Sequence, residues 1–226
     1  MTLVSYFLAF IDLFYPRMCE VCKEVLVTGE KHICSACLYD FPYSYGLHDD
    51  LFLQFDRVCR MKAVHSLFYY SRYSDYRNLI YAIKYRSKKD IGHFLGAMLG
   101  ERMAGRDEFD GIIPLPLHPK RERKRGFNQA REIAVGIAEV LQVPVMDHVV
   151  SRVINNPSQT GLTAEQRAEN VKRIFRLEET LSLQGKHILV IDDVITTGST
   201  LTSFLEVLNE IPDLTVSVAC LAVAKD

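Results

Sequence analysis

A near-continuous apolar run, His187-Ile188-Leu189-Val190-Ile191, constrains the fold of this 226-residue chain more than any other feature. Such a strand fits a central place in a parallel sheet, because helices cover both faces there. Strand-like and helix-like segments alternate around it. The predicted strands cover 63–70, 111–116, 143–145, 187–191 and 216–223, and the predicted helices lie within 76–83, 91–99, 130–141 and 201–208. This alternation predicts right-handed βαβ crossovers and an α/β fold with a doubly wound parallel sheet.

The first residues of the chain bear on the cellular compartment. Residues 3–15 are strongly apolar, but no Lys or Arg precedes them, Asp12 interrupts them and no small-residue cleavage site follows. They are also fewer than the ~20 residues that a transmembrane helix needs. We predict a helix that packs on the body of the protein, with a role at a membrane surface as the alternative. Without a signal peptide or transmembrane segment, we expect a cytoplasmic protein whose thiols stay reduced.

Four of the six cysteines form two pairs with metal-ligand spacing, Cys19-x-x-Cys22 and Cys34-x-x-Cys37. Each pair can place two thiolates on one ion from a tight turn, and two pairs complete the tetrahedral S₄ site that zinc prefers. Disulfides or buried free thiols are the alternative, and disulfides would require export. Because the protein supplies all four ligands, we predict a structural zinc site.

The cysteine pairs also suggest how the chain is divided. We expect an N-terminal helix and a small zinc-binding domain in residues 1–58, and the α/β domain in residues 59–226. Lys and Arg total 27 and Asp and Glu total 28, so the formal net charge is −1. This balance gives the chain as a whole no electrostatic attraction to nucleic acid. Any function that needs positive charge must therefore depend on a local cluster of basic residues.

The residues after the predicted central strand carry the most specific chemistry. They read Asp192-Asp193-Val194-Ile195-Thr196-Thr197-Gly198-Ser199-Thr200 and lead into a helix predicted to begin near Ser199. Ligands of open α/β sheets lie outside the carboxyl ends of the strands. Small residues, hydroxyl groups and the positive end of the helix dipole together predict a cradle for a monophosphate. Gly198 allows a turn with positive φ.

Two adjacent carboxylates beside a phosphate cradle need a further explanation. They would repel a diphosphate, but they can accept hydrogen bonds from vicinal hydroxyl groups and can help to hold Mg²⁺, directly or through water. A ligand with a 5′-phosphate and a ribose diol is a phosphoribosyl group. The chain contains neither G-x-x-x-x-G-K-[ST] nor G-x-G-x-x-G, so the nucleotide-binding loops with those signatures are not supported. For Asp192 and Asp193 taken alone, a solvated strand end is the alternative.

The string at 190–200 resembles the binding motif for phosphoribosyl pyrophosphate (PRPP) in type I phosphoribosyltransferases. With the cysteine pairs and the segment Pro-Leu-Pro-Leu-His-Pro-Lys-Arg-Glu-Arg-Lys-Arg-Gly-Phe-Asn-Gln at 114–129, it resembles the ComF family of competence-associated phosphoribosyltransferase-like proteins. The resemblance covers nearly the whole chain and implies the type I phosphoribosyltransferase fold. It also implies that Asp192 and Asp193 bind the ribose hydroxyls. It further implies that the 5′-phosphate is bound by Thr196, Thr197, Gly198, Ser199 and Thr200.

The same resemblance places the pyrophosphate contacts in the basic segment 120–125, which we predict to be a loop at the same edge of the sheet as Asp192. Arg121, Lys124 and Arg125 are the expected contacts. Mg²⁺ and basic side chains are suited to stabilising the departing pyrophosphate, and arginine adds bidentate geometry. Solvated surface is the alternative for this segment.

A second segment, 152–175, resembles the flexible loop of the glutamine-dependent amidophosphoribosyltransferases through Gln159, Arg167 and Asn170. A lid that closes over PRPP would exclude water from the activated sugar. We expect Arg167 to donate charge there and to act with the acidic pair in catalysis. Solvated surface is again the alternative.

A further basic cluster suggests a second class of function. Basic residues beside aromatic residues can bind single-stranded nucleic acid, and the exposed end of a helix is the alternative. The cluster comprises Lys84, Arg86, Lys88 and Lys89, with Tyr81 and Tyr85 nearby. Two hypotheses follow. The first is an enzyme that transfers phosphoribose from PRPP to an unidentified base or amine. The second is a factor that handles single-stranded nucleic acid, with PRPP as a regulatory ligand. The resemblance to the ComF family, which is linked to the uptake of transforming DNA, implies single-stranded DNA and competence-machinery proteins as its partners.

Overall fold

The computed structural model of the chain describes residues 14, 16–44, 48–71, 73–86, 88–154 and 174–224. Its strands are β1 (Met61–Tyr70), β2 (Gly111–Pro114), β3 (Val150–Arg152), β4 (Phe175–Leu177), β5 (His187–Ile195) and β6 (Thr215–Ala224). Four of them form a parallel sheet in the order β1-β6-β5-β2. The antiparallel pair β3 and β4 forms a separate small sheet.

The helices of the described residues precede or connect these strands. The α-helices are α1 (Ser35–Tyr39), α2 (Asp49–Asp56), α3 (Arg77–Tyr85), α4 (Lys89–Met103), α5 (Pro119–Arg125), α6 (Gln129–Leu141) and α7 (Ser199–Leu208), and a short 3₁₀ helix covers Leu181–Leu183. The predicted amphipathic helices in 76–83, 91–99, 130–141 and 201–208 are confirmed as α3, α4, α6 and α7. Each of them buries most of the apolar positions in its predicted stripe.

The chain crosses the sheet in both directions, which confirms the doubly wound α/β fold. From β1 it passes through α3 and α4 to β2, and then through α6 to Val145, which forms a parallel bridge with Ile112 on the outer side of β2. From β5 it returns through α7 to β6. Right-handed crossovers in opposite directions place their helices on opposite faces. Accordingly, α4 packs against α6, whereas α7 lies against α2. The predicted strand at 143–145 is reduced to the single bridge.

The central strand is longer than predicted. Residues 188–191 have no solvent exposure, as expected for a strand with neighbours on both sides and helices on both faces. Pairing with β6 continues beyond this apolar run, with Asp192 opposite Cys220 and Val194 opposite Ala222. The prediction that the acidic pair follows the strand is therefore wrong, because the backbone ladder holds Asp192 and Asp193 within β5.

The predicted loop at 120–125 is also wrong, because this segment forms α5. Pro119 occupies its first turn, where a missing N–H costs nothing, and the ring nitrogen Nδ1 of His118 accepts a hydrogen bond from the N–H of Lys120 at 3.2 Å. Gly126 ends the helix with a φ of 87°, a left-handed conformation that favours glycine. The three basic side chains expected at the pyrophosphate are thus carried by a helical turn.

Glycines bring α4 and α6 into unusually close contact. A Cβ atom at Gly96 would clash with the carbonyl oxygen of Ile133, and one at Gly136 would clash with the carbonyl oxygen of His93. The two backbones therefore approach so closely that the interface tolerates no side chain at these positions. This pair of helices covers one face of the sheet and supports the strands that carry the site.

We expect Gly96→Ala to lower the free energy of unfolding by about 2–3 kcal/mol, because the new methyl group must push the two helices apart. The control is Gly92→Ala on the same helix, whose Cβ would lie at an ordinary 3.4 Å from the Cβ of Glu132. That change should be neutral or stabilising, since alanine favours helix over glycine by ~1 kcal/mol. Urea unfolding measures both variants, and equal effects would contradict the close packing.

Candidate functional site

The acidic pair lies near the carboxyl end of β5, where consecutive side chains point to opposite faces of the sheet. The backbone N–H of Asp193 donates to Oδ1 of Asp192 at 2.8 Å. Lys84 Nζ lies 3.0 Å from Oδ2 of Asp193. Burial, and then the charge of Asp193, raise the pKa of Asp192 to about 7. The site therefore contains a carboxyl group that ionises close to neutral pH.

This raised pKa predicts a pH-dependent stability. An aspartate in the unfolded chain has a pKa of about 3.9, so between about pH 4 and pH 7 the folded state binds the extra proton. The carboxyl group of Asp192 therefore costs stability as the pH rises through that interval, and the cost is complete above it. Without ligand, Asp192→Asn should raise the free energy of unfolding by on the order of 2 kcal/mol at about pH 8 and change it little at about pH 4. Urea unfolding at both pH values measures this, and a pH-independent effect would contradict it.

The hydroxyl-rich loop between β5 and α7 is held in place from two sides. Gly198 has a φ of 73° and precedes the first turn of α7, and its carbonyl oxygen accepts from Thr202 Oγ1 at 3.1 Å. From α2, Gln54 Nε2 donates to the carbonyl oxygen of Thr197 at 3.1 Å and to Thr202 Oγ1 at 3.2 Å. Gly198, at the N-cap of α7, has no side chain to cap the helix, and the N–H of Ser199 makes only a long contact of 3.5 Å with Thr197 Oγ1. The first turn of α7 is therefore open to an anion.

A small cavity of about 40 Å³ joins this loop to Asp192. It is lined by Asp192 and by residues 194–201. The side chains of Thr196, Thr197 and Ser199 are exposed around it, and Thr197 Oγ1 lies 3.1 Å from Ser199 Oγ. The predicted phosphate-binding residues therefore surround one concave surface beside Asp192.

The predicted pyrophosphate contacts line a second cavity, of about 340 Å³. Its lining consists of Lys84, Tyr85, Arg121, Lys124 and Arg125. Arg125 donates from Nη1 to Oε1 of Gln129 at 2.8 Å, and its guanidinium carbon lies 6.0 Å from the ring centre of Tyr85. Because Lys84 also pairs with Asp193, this basic cavity adjoins the acidic pair.

Three residues near the site were not predicted for it. Lys84 was grouped with a nucleic-acid cluster because of its basic neighbours, and no local pattern identifies Asp193 as its partner. Gln54 supports the loop from 143 positions away in the chain, a contact that only the fold reveals. Burial, and then the charge of Arg121, lower the pKa of Arg152, which Asp192 partly restores, so Arg152 lies within electrostatic range of both Arg121 and Asp192. The only sequence signal for Arg152 is its place at the start of the predicted lid.

Several sequence predictions lie outside the described residues. Arg167, Gln159 and Asn170 belong to the segment 155–173, so the role of Arg167 stays a prediction. The same holds for the N-terminal helix at 3–15, of which the structure describes residue 14 alone.

The four cysteines of the two pairs form one cluster, whose sulfur atoms all lie within 4.8 Å of one another. The Sγ atoms of Cys22 and Cys34 are 3.7 Å apart. Tetrahedral zinc with bonds of about 2.3 Å requires sulfur atoms about 3.8 Å apart, so the cluster fits this ion. Burial opposes ionisation of Cys19, but backbone N–H donors led by that of Cys34 outweigh it and lower the pKa of Cys19 to about 7. A thiolate is the form that binds metal.

A larger cavity, of about 1070 Å³, lies elsewhere on the molecule. It is open to solvent at the amino end of β5, where its lining includes Lys62, Asp107 and His187. Lys62 Nζ and Asp107 Oδ1 form an ion pair at 3.0 Å there. Because ligands of such sheets bind at the carboxyl ends of the strands, we place the site at the acidic pair despite the smaller cavities there. None of the helices described in the structure has the length and apolar character that a membrane crossing requires.

Comparison with known proteins adds independent observations. A family model described as Phosphoribosyl transferase domain matches residues 128–225. The DNA utilization protein YhgH of Shigella flexneri is 30% identical over an alignment of 229 residues. The alignment covers 91% of this chain and 96% of that protein. Competence protein F of Haemophilus influenzae is 35% identical over 103 residues, 45% of each chain. A purine phosphoribosyltransferase structure from Pyrococcus horikoshii is 20% identical over 59% of this chain and 72% of that one, with a TM-score of 0.39.

Proposed function

Because this chain belongs to the ComF family of phosphoribosyltransferase-like proteins, we propose that it binds PRPP with Mg²⁺ and transfers the phosphoribosyl group to an acceptor. One observation carries the proposal. An acidic pair, a hydroxyl-rich helix start and a basic cavity lie side by side at one edge of the sheet. The acidic pair suits the ribose diol of PRPP, the helix start suits its 5′-phosphate, and the basic cavity suits its pyrophosphate.

Each part of the ligand has a proposed partner. The carboxylates of Asp192 and Asp193 accept hydrogen bonds from the ribose hydroxyls. The 5′-phosphate binds the N–H groups in the first turn of α7 and the hydroxyls of Thr196, Thr197, Ser199 and Thr200, where the helix dipole favours negative charge. The pyrophosphate lies in the basic cavity against Arg121, Lys124 and Arg125. Mg²⁺ bound with PRPP would neutralise pyrophosphate charge, and the carboxylates of Asp192 and Asp193 would supply the oxygen atoms that this ion prefers.

The proposed reaction breaks the bond between C1 of the ribose and a pyrophosphate oxygen. The bonding electrons leave with pyrophosphate, and the lone pair of the acceptor nitrogen forms the new bond to C1. The proton that this nitrogen then loses passes to the departing pyrophosphate or to water. The cations of the basic cavity stabilise the developing negative charge on the leaving group. The negative charge of the acidic pair lies beside the ribose, where positive charge develops in the transition state. Arg167 is proposed to add a further cation to the leaving group.

Calorimetric titration with PRPP, with and without Mg²⁺, tests this proposal. We expect saturable binding of one PRPP per chain that requires Mg²⁺. Ribose 5-phosphate, which lacks the pyrophosphate, serves as the matched control ligand and should bind more weakly. No binding of PRPP at millimolar concentration in the presence of Mg²⁺ would overturn the proposal.

A second candidate function is the handling of single-stranded DNA, with PRPP as a regulatory ligand. The names of the relatives, which refer to DNA utilization and competence, favour it. The rings of Tyr81 and Tyr85 are exposed and 5.5 Å apart, a surface on which bases can stack. However, Lys84, Arg86 and Lys88 are occupied in ion pairs, which leaves less free charge than the sequence suggests.

Titration with a single-stranded oligonucleotide separates the two candidates. Genuine binding to DNA phosphates should weaken steeply when the salt concentration rises, because counterions are released on binding. Binding of PRPP without binding of DNA favours the enzyme. Salt-sensitive affinity for DNA that changes when PRPP is added favours the DNA-handling factor.

A further inference from the structure

Glu20 is a buried acidic residue inside the first cysteine pair. Its side chain is only 6% exposed, and three cations surround its carboxylate. Lys23 Nζ and Arg86 Nη1 lie 3.4 Å and 3.7 Å from Oε2, and Lys88 contacts Oε1. Burying a carboxylate is unfavourable unless such partners compensate it, so these contacts fix where the cations lie.

Two of these cations follow α3 directly, and the same helix is tied to the cysteine segment at its other end. Tyr76 Oη donates to the carbonyl oxygen of Cys37 at 2.7 Å, and Asn78 Nδ2 donates to that of Val21 at 3.3 Å. At the carboxyl end of α3, Arg86 and Lys88 contact Glu20. The helix is thus anchored to the cysteine segment at both ends.

The last turn of α3 also carries two residues of the phosphoribosyl site. Lys84 pairs with Asp193 and lines the basic cavity, and Tyr85 lines the same cavity. Lys84 lies only two residues before Arg86. The contact between Arg86 and Glu20 therefore restricts the part of the backbone from which Lys84 reaches the acidic pair.

We propose that Glu20 is a positioning residue for the phosphoribosyl site, acting through Arg86 and Lys88 on Lys84. This inference rests on the proposed function. Glu20 is not among the residues that line the two cavities of the proposed site. It holds the end of α3 so that the ammonium group of Lys84 stays beside Asp193 and the pyrophosphate cavity. Small displacements of a charged group weaken ligand binding strongly, because binding sites require defined geometry.

The test measures the Kd of Mg²⁺-PRPP in variants. Glu20→Gln keeps the size of the side chain but removes the charge that holds Arg86 and Lys88, and we expect PRPP to bind about 5-fold more weakly. Glu20→Asp, which keeps the charge, should recover part of the affinity. The control is Lys89→Gln, a neighbouring lysine outside the group of cations that contact Glu20, and its affinity should equal that of the wild type.

A double-mutant cycle distinguishes positioning from a general loss of stability. If Glu20 acts through Lys84, then Glu20→Gln should have no further effect on PRPP affinity in a Lys84→Met protein. A merely structural role would weaken binding equally in both backgrounds. Additive effects on affinity would therefore overturn the proposal.

The zinc content of each variant is measured as well, because Glu20 lies next to Cys19. If Glu20→Gln loses zinc, the combined variant Arg86→Gln with Lys88→Gln decides the question, since it leaves the cysteine turn unchanged. It should weaken PRPP binding about 5-fold at full zinc content. Unchanged affinity in that variant would overturn the inference. Failure of the wild type to bind PRPP would instead overturn the proposed function itself.

Discussion

Changing Asp192 and Asp193 together to asparagine should raise the Kd for Mg²⁺-PRPP by at least about 100-fold while the protein stays folded. Asparagine keeps the shape of aspartate and one acceptor oxygen, but it has no charge with which to hold Mg²⁺. Each hydrogen bond to a charged group contributes ~1.5–3 kcal/mol, so the loss of two predicts this magnitude. Calorimetry measures the affinity, and thermal unfolding shows whether the fold is kept.

The matched control removes the same number of charges from the far end of α7. Glu206 and Glu210 are exposed carboxylates at and beyond the end of this helix, distant from its amino terminus. Glu206→Gln with Glu210→Gln should leave the Kd within about twofold, since screening weakens interactions between distant exposed charges. Wild-type affinity in the asparagine double variant would refute the role of the acidic pair.

Changing Cys19 to serine should release the zinc, about one ion per chain, and unfold the cysteine segment. Structural zinc sites contribute on the order of 10 kcal/mol to the folding of small domains, so this loss exceeds any single packing change. Cys19 is fully buried, and its sulfur accepts from the N–H of Cys34 at 3.3 Å, so serine cannot replace it as a ligand or in packing. Metal analysis of the purified protein and thermal unfolding measure the two effects.

The control for the zinc prediction is Cys59→Ala. Burial, and then the charge of Asp56, raise the pKa of the Cys59 thiol to about 12, and the residue lies outside the four-cysteine cluster. This variant should keep the full zinc content, because Cys59 contributes no sulfur atom to the cluster. A purified wild-type protein without zinc would refute the metal site altogether.

The fold was largely predictable because periodicity reports burial directly. The apolar stripes of α3, α4, α6 and α7 and the apolar run in β5 each require a buried environment, and the structure places them in the hydrophobic core. The end of β5 was not predictable in the same way. Hydrogen bonding to β6 extends the strand over polar residues, and only the neighbouring strand supplies that pairing.

The candidate site was predictable only where its residues are adjacent in sequence. The acidic pair and the loop at 196–200 form one string, so their chemistry could be read together. Lys84, Gln54 and Arg152 reach the same region from three other elements, and contacts of that range leave no local pattern. The division of the chain at residue 58, the role of Arg167 and the cytoplasmic compartment stay predictions.

The position of β6 inside the sheet has a consequence for how the protein forms. β1 pairs with β6, and β6 in turn pairs with β5, so residues 215–224 separate the earliest strand from the rest of the sheet. During synthesis, the edge of β1 that pairs with β6 therefore stays unpaired until residues 215–224 have left the ribosome. Long-range parallel pairing is slow to form, so the apolar residues of β1 are open to aggregation for as long as β6 is missing.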